Sequence, residues 1–270
     1  MKIIGHRGFR GAYPENTLIA FTEAIKIGVH AIEFDVVMSG DGKIVVSHEP
    51  FMSRITCLKP NGEELTLFED QQYNLYKMPY DEIKAFDCGQ KGNIKFLNQK
   101  SIPTYKPLLS ETIEVCEANA ASLKSSLDYI IEIKSSFEDY ENFYPKPERY
   151  VKTILKTLDA YSINNRIVLK SFDVAVLNEI KRQRPSQKIS LLINRKESIE
   201  DQLVQLNFTP EILGPYFKLL TNDSVKSYKN KGFLIYPWTV NKISNLETVI
   251  ALGVDGIITD YPNRLMRLIQ

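Results

Sequence analysis

The chain has 270 residues, 43% hydrophobic and 25% charged, with 34 Lys+Arg against 33 Asp+Glu and a formal net charge of +1. That composition describes a soluble globular chain large enough for one α/β barrel or two smaller domains. The near-neutral balance excludes a nucleic-acid partner held by the overall field. No apolar run reaches the ~18 residues of a membrane span, and the strand-like, then abruptly polar N-terminus shows no signal segment, so a cytoplasmic location is the default expectation. Cys57, Cys88 and Cys116 are odd in number and form no C-x-x-C. They are expected to be free, buried thiols and neither a disulfide framework nor a zinc site.

Eight principal β-branched runs follow in chain order, at 2–5, 31–36, 44–48, 129–134, 167–171, 189–193, 233–240 and 256–259. Most alternate with helical patterns, which predicts a parallel sheet, and eight of them predict a closed (β/α)8 barrel spanning 1–270 as one domain. A ninth run at 216–220 is taken as a short element between the sixth and seventh strands. The first helix puts Leu18, Phe21 and Ile25 on one face, with Asn16 as its cap and Gly28 after its end. Further helices are predicted over 109–118, 148–158, 174–182 and 243–252. The stretch 51–102 is rich in Asn, Gln, Glu, Tyr and Gly and weakly periodic. It is too long for an ordinary loop, and is read as an insertion between the third and fourth strands covering one end of the barrel.

Strand parity sorts the chemistry. In 31–36, Ile32, Phe34 and Val36 share one face and Glu33 and Asp35 the other; in 130–134, Ile131 and Ile133 oppose Glu132 and Lys134. The first run ends in His6-Arg7 and the third in His48. Polar residues at the carboxyl ends of barrel strands are where that fold builds its active site. Glu33, Asp35 and Glu132 would repel one another in a partly buried mouth. Arg7 and Lys134 offset part of this, and a trio of hard carboxylates is also what Ca²⁺ or Mg²⁺ requires. Two imidazoles suit one proton donor and one acceptor near neutral pH. Together these groups equip a site for displacement at a phosphate diester. No G-x-S-x-G, G-x-G-x-x-G or Walker A sequence points elsewhere. His30, after the Gly28 stop, is taken as a surface residue.

The motifs resemble those of the glycerophosphodiester phosphodiesterases, a branch of the phospholipase-C-like phosphodiesterase barrels. They run in order along the whole chain: His6-Arg7-Gly8, Tyr13-Pro14-Glu15-Asn16-Thr17, Glu33-Phe34-Asp35-Val36, Asp41-Gly42, His48, Ile102-Pro103-Thr104, Glu132-Ile133-Lys134, Ser171-Phe172-Asp173, Trp238-Thr239-Val240-Asn241 and Val254-Asp255-Gly256 through Asp260-Tyr261-Pro262. The resemblance implies a Ca²⁺ or Mg²⁺ cofactor on Glu33, Asp35 and Glu132, and His6 and His48 as general acid and base. It implies that Arg7 and Lys134 bind phosphate, and that Trp238, joined by Phe172, walls the glycerol or head group; a core position would suit Trp238 equally. The implied reaction releases sn-glycerol 3-phosphate and an alcohol from a small diester.

Two departures stand out. His48 is followed by Glu49 where the family commonly has Asp, and Ile102-Pro103-Thr104 is followed by Tyr105-Lys106-Pro107 where it usually has an acidic pair. The competing readings are a phosphodiesterase acting on lysophospholipids or other phosphodiesters, a non-catalytic barrel that binds phosphate esters, and a metal-free phosphate-binding isomerase or aldolase. The last would need a Gly-rich loop after the final strands, and Asp260-Tyr261-Pro262-Asn263 is not one.

Overall fold

The computed structural model describes residues 1–194 and 198–269. Strands β1 (Lys2–His6), β2 (Ala31–Met38), β3 (Ile44–Val46), β4 (Asp128–Ile133), β5 (Ile167–Ser171), β6 (Lys188–Ile193), β7 (Ile212–Pro215), β8 (Leu234–Ile235) and β9 (Gly256–Thr259) form one sheet. All but β3 lie in parallel order β8-β7-β6-β5-β4-β2-β1-β9. The ends approach closure, because backbone bonds from Ile258 N–H to Pro237 O at 3.0 Å and from Val240 N–H to Ile258 O at 3.0 Å tie the segment after β8 to β9. This nearly closed array of eight parallel strands, with helices between them, is a TIM barrel.

The helices are α1 (Leu18–Lys26), α2 (Tyr80–Lys84), α3 (Leu109–Ser122), α4 (Pro147–Leu158), α5 (Val174–Gln183), α6 (Ile199–Val204), α7 (Asn222–Asn230), α8 (Ile243–Ala251) and α9 (Pro262–Ile269). Each of the longer ones buries a stripe at helical spacing: Ala20, Phe21, Ala24 and Ile25 in α1, and Tyr150, Val151, Ile154, Leu155 and Leu158 in α4. Thr17, not Asn16, caps α1 by accepting from Ala20 N–H. Asn16 sits in left-handed backbone at φ 56° and turns its amide to Asp35 instead.

Seven of the eight expected runs supply barrel strands, and the eighth member differs. The run 44–48 is the antiparallel β3, paired to β2 through Val36 and Val46 outside the barrel. The missing member is β7, whose sequence Ile-Leu-Gly-Pro hides a strand behind two turn-forming residues. The run 216–220 forms a 3₁₀ turn over Phe217–Leu219. After only two paired residues β8 gives way to Pro237, which has no N–H to offer a ladder.

The insertion lies between β3 and β4 and is short of regular structure, with 3₁₀ turns at Asp70–Gln72 and Leu75–Lys77 besides α2. It nevertheless contributes Met52, Leu65, Leu75, Ile83 and Phe86 to the same apolar cluster as the helix-facing sides of the strands. Contrary to the expectation of three free thiols, Cys57 and Cys88 form a disulfide across it, and Cys116 alone is free and buried. Cysteine parity and spacing carry no signal for such a pair, because only the folded loop brings the two together. Among the described residues, no helix is long and apolar enough to cross a membrane.

Candidate active site

The barrel interior begins with an apolar layer of Ile4, Ala31, Ile130, Val168, Ile212, Tyr236 and Ile258. Side chains alternate along a strand, so the next interior position on each lies two residues further on. Those positions are His6, Glu33, Glu132, Lys170, Gly214, Trp238 and Asp260. One step of strand period thus converts an apolar floor into a charged ring at the carboxyl ends of the strands. Asp35 extends the ring beside Glu132, its register partner, and Lys134 follows directly after β4.

Glu33 and Asp35 are 0% and 1% exposed, so their charges demand compensation. Lys170 Nζ stands 2.6 Å from Glu33 Oε1 and 3.3 Å from Glu132 Oε2. Lys134 Nζ donates to Glu132 Oε1 at 2.7 Å and lies 4.0 Å from Asp35 Oδ1. Burial pushes the Glu132 carboxyl up, but Lys134 and Lys170 bring it below its ordinary value. Burial likewise opposes ionisation of Asp35, and Arg7, with His48 and Lys134, drives it well below the usual carboxylate range. One carboxylate oxygen from each of Glu33, Asp35 and Glu132 falls within 4.8 Å of the others. Three carboxylate oxygens so placed fit a hard divalent cation, with the shell completed by oxygens from outside the chain.

The turn after β1 places Arg7. Its backbone is left-handed, φ 51°, and its N–H donates to Glu33 Oε2 at 3.0 Å. Gly8 continues the turn at φ 82°, where a Cβ would meet the backbone of Ala20 at 2.7 Å, so only glycine lets α1 pack this close. The Arg7 guanidinium donates to Glu15 Oε1 at 2.6 Å and lies 3.2 Å from Asp35 Oδ2. Burial pushes Glu15 up, but Arg7 and Arg10 carry it down to about 2.

Each mouth histidine has a carboxylate behind it. His6 Nδ1 pairs with Asp260 Oδ1 at 2.6 Å, and its Nε2 is 3.9 Å from Glu33 Oε2. His48 lies in the segment after β3, and its Nδ1 pairs with Glu49 Oε1 at 2.7 Å. Burial opposes the charge on Asp260, yet His6 lowers its pKa; Glu49 is lowered chiefly by its bond to His48. An ionised carboxylate only accepts, so it holds the proton on Nδ1 and leaves Nε2 for proton transfer. Glu49, which stands where the family commonly has Asp, thus pairs directly with His48.

At the opposite edge, Trp238 packs on the interior apolar layer and donates from Nε1 to Gly214 O at 2.6 Å. Phe172 meets it edge-on, with ring centroids 5.5 Å apart, and both remain half-buried. His30 is exposed and accepts the Ile3 N–H. Sequence reading missed Lys170 and the role of Asp260; parity extended to β5 would have found the first, whereas Asp260 lies one residue beyond β9.

The model of the glycerophosphoryl diester phosphodiesterase family matches residues 6–264. The chain belongs to that family. A glycerophosphodiester phosphodiesterase of Caldanaerobacter subterraneus subsp. tengcongensis is 32% identical over 270 residues, covering 99% of this chain and 97% of the relative. A solved structure from Silicibacter pomeroyi DSS-3 has a TM-score of 0.88 at 31% identity, covering 98% of this chain and 91% of that one. A phosphodiesterase from Oleispira antarctica, solved in complex with the product sn-glycerol-3-phosphate, shares the fold with a TM-score of 0.79 at 23% identity, over 100% and 96% of the two chains. This glycerophosphoryl diester phosphodiesterase family member is accordingly a phosphoric diester hydrolase, and its acidic trio can hold a metal ion.

Proposed function

We propose that this enzyme hydrolyses glycerophosphodiesters to sn-glycerol 3-phosphate and an alcohol, with Ca²⁺ or Mg²⁺ held by Glu33, Asp35 and Glu132 and with His6 and His48 moving the protons. The observation that carries this reading is the convergence, on one barrel mouth, of three buried carboxylates with two histidines, each backed by its own carboxylate. The product bound by the Oleispira relative supports the same assignment. The bound cation supplies charge neutralisation at the phosphate oxygens.

Arg7 and Lys134, both already in the ring, bind the non-bridging oxygens as their charge grows. His6 Nε2 takes the proton of the glycerol 2-hydroxyl, whose oxygen closes on phosphorus, while the bond to the alcohol breaks on the opposite side. His48 Nε2 delivers a proton to that leaving oxygen. The resulting cyclic phosphate is opened by water as His48 takes a proton from the water and His6 returns one to the 2-oxygen. An internal nucleophile spares the enzyme the entropy of capturing a second reactant. Trp238 and Phe172 give the glycerol carbons an apolar wall.

The test is glycerol 3-phosphate release from a panel of glycerophosphodiesters with Ca²⁺, Mg²⁺ or EDTA. Release that EDTA abolishes and one of the metals restores is expected. Release indifferent to EDTA removes the cation from the mechanism, and none from folded protein with either metal overturns the reading.

A further inference from the structure

A cavity of about 300 Å³ lies between the barrel mouth and the insertion, lined by Arg7 and His48 together with Ser53, Asn93, Lys95 and Lys106. Neither His6 nor the Trp238–Phe172 wall lines it. An in-line displacement separates the attacking and leaving oxygens across phosphorus, so with glycerol on the Trp238–Phe172 wall and His48 as the proposed acid, the departing alcohol would enter this cavity.

The charges lining the cavity do not cancel. Of its two carboxylates, Glu15 is engaged by Arg7 and Arg10, each at 2.6 Å, and Glu49 by His48. Lys106, half-buried, donates to the neutral Ser47 Oγ at 2.9 Å. Among the described residues no carboxylate oxygen lies within 4.0 Å of its ammonium or of that of Lys95 at the rim. An ammonium has three donors, so Lys106 retains capacity for an incoming acceptor. It also occupies one of the two positions where the sequence departs from its family's acidic pair.

Resting on the hydrolysis proposed above, we infer that Lys106 is a specificity-determining residue. With Lys95 it selects leaving alcohols that carry a second anionic group over those that carry a cation. The polar lining and small volume suit one compact, hydroxyl-rich head group.

The experiment compares kcat/KM for glycerophosphoinositol 4-phosphate, glycerophosphoglycerol and glycerophosphocholine. Wild type is expected to favour the anionic diester over the choline diester by about 10-fold or more, the scale of one partly screened charge contact. Lys106→Met should cut that ratio by about 10-fold, Lys106→Glu should invert it, Lys106→Arg should retain it, and Lys95→Gln should lower it less. A ratio near unity in wild type, or an equal loss on all three diesters in Lys106→Met, overturns the assignment. Calorimetric titration in EDTA with myo-inositol 4-phosphate and with choline reads the site without turnover. Binding of the former alone, weakened in Lys106→Met, supports the inference even if hydrolysis fails; equal binding of both overturns it.

Discussion

The two sides of the mouth are built in different ways. On one side, β1, β2, β4, β5 and β9 each lead to a polar interior residue one strand period above an apolar one, so hydrogen-bonded register sets His6, Glu33, Glu132, Lys170 and Asp260 relative to one another. On the other, His48, Glu49, Lys95 and Lys106 sit on irregular chain, located by a disulfide, isolated bridges and a shared core. Register is a rigid ruler and favours chemistry that tolerates no displacement. Loop scaffolding is where a barrel can change its substrate without rebuilding its catalyst.

That contrast can be broken most severely at the ring. Glu132→Gln removes one ionised oxygen from the trio and leaves Lys134 and Lys170 with less to neutralise; calorimetry should show metal binding lost and turnover abolished. Retained affinity would take Glu132 out of the cation site. Next come the histidines, one from each side: His6→Ala and His48→Ala should each lower kcat by ~10²-fold or more if both transfer protons. A wild-type rate in the His48 variant would confine the chemistry to the strand-built side. The smallest effect on catalysis should come from Cys57→Ser. Opening the bridge should cost about 2–4 kcal/mol of stability, read as a lower urea midpoint, and should blur discrimination among head groups more than it slows the preferred one. Equal loss of kcat on every diester would show that the insertion positions the catalytic ring as well.

Legibility in the sequence follows the same division. Glu33, Asp35, Glu132 and Lys134 group together from the sequence alone, because alternation with Ile, Val and Phe sets their face. Lys170 obeys the same parity in Ile167–Ser171, yet without a charged neighbour it reads as one polar residue in an apolar strand. Asp260 lies one residue beyond β9, where strand pattern has ended and only its distance from His6 shows its use. Asn16 is a plausible cap by type, but α1 starts one residue later because Asp35 claims its amide.

The sequence by itself determined the barrel class, the helix stripes and the grouping of Glu33, Asp35 and Glu132, because 2.0 and 3.6 residue periods are local properties of the chain. Tertiary structure decided which runs close the barrel, replacing 44–48 by 212–215. It also decided that Cys57 meets Cys88 and that Lys106 enters the cavity beside His48. Those outcomes depend on residues far apart in the chain competing for the same space, partner or charge, and no local pattern records who prevails.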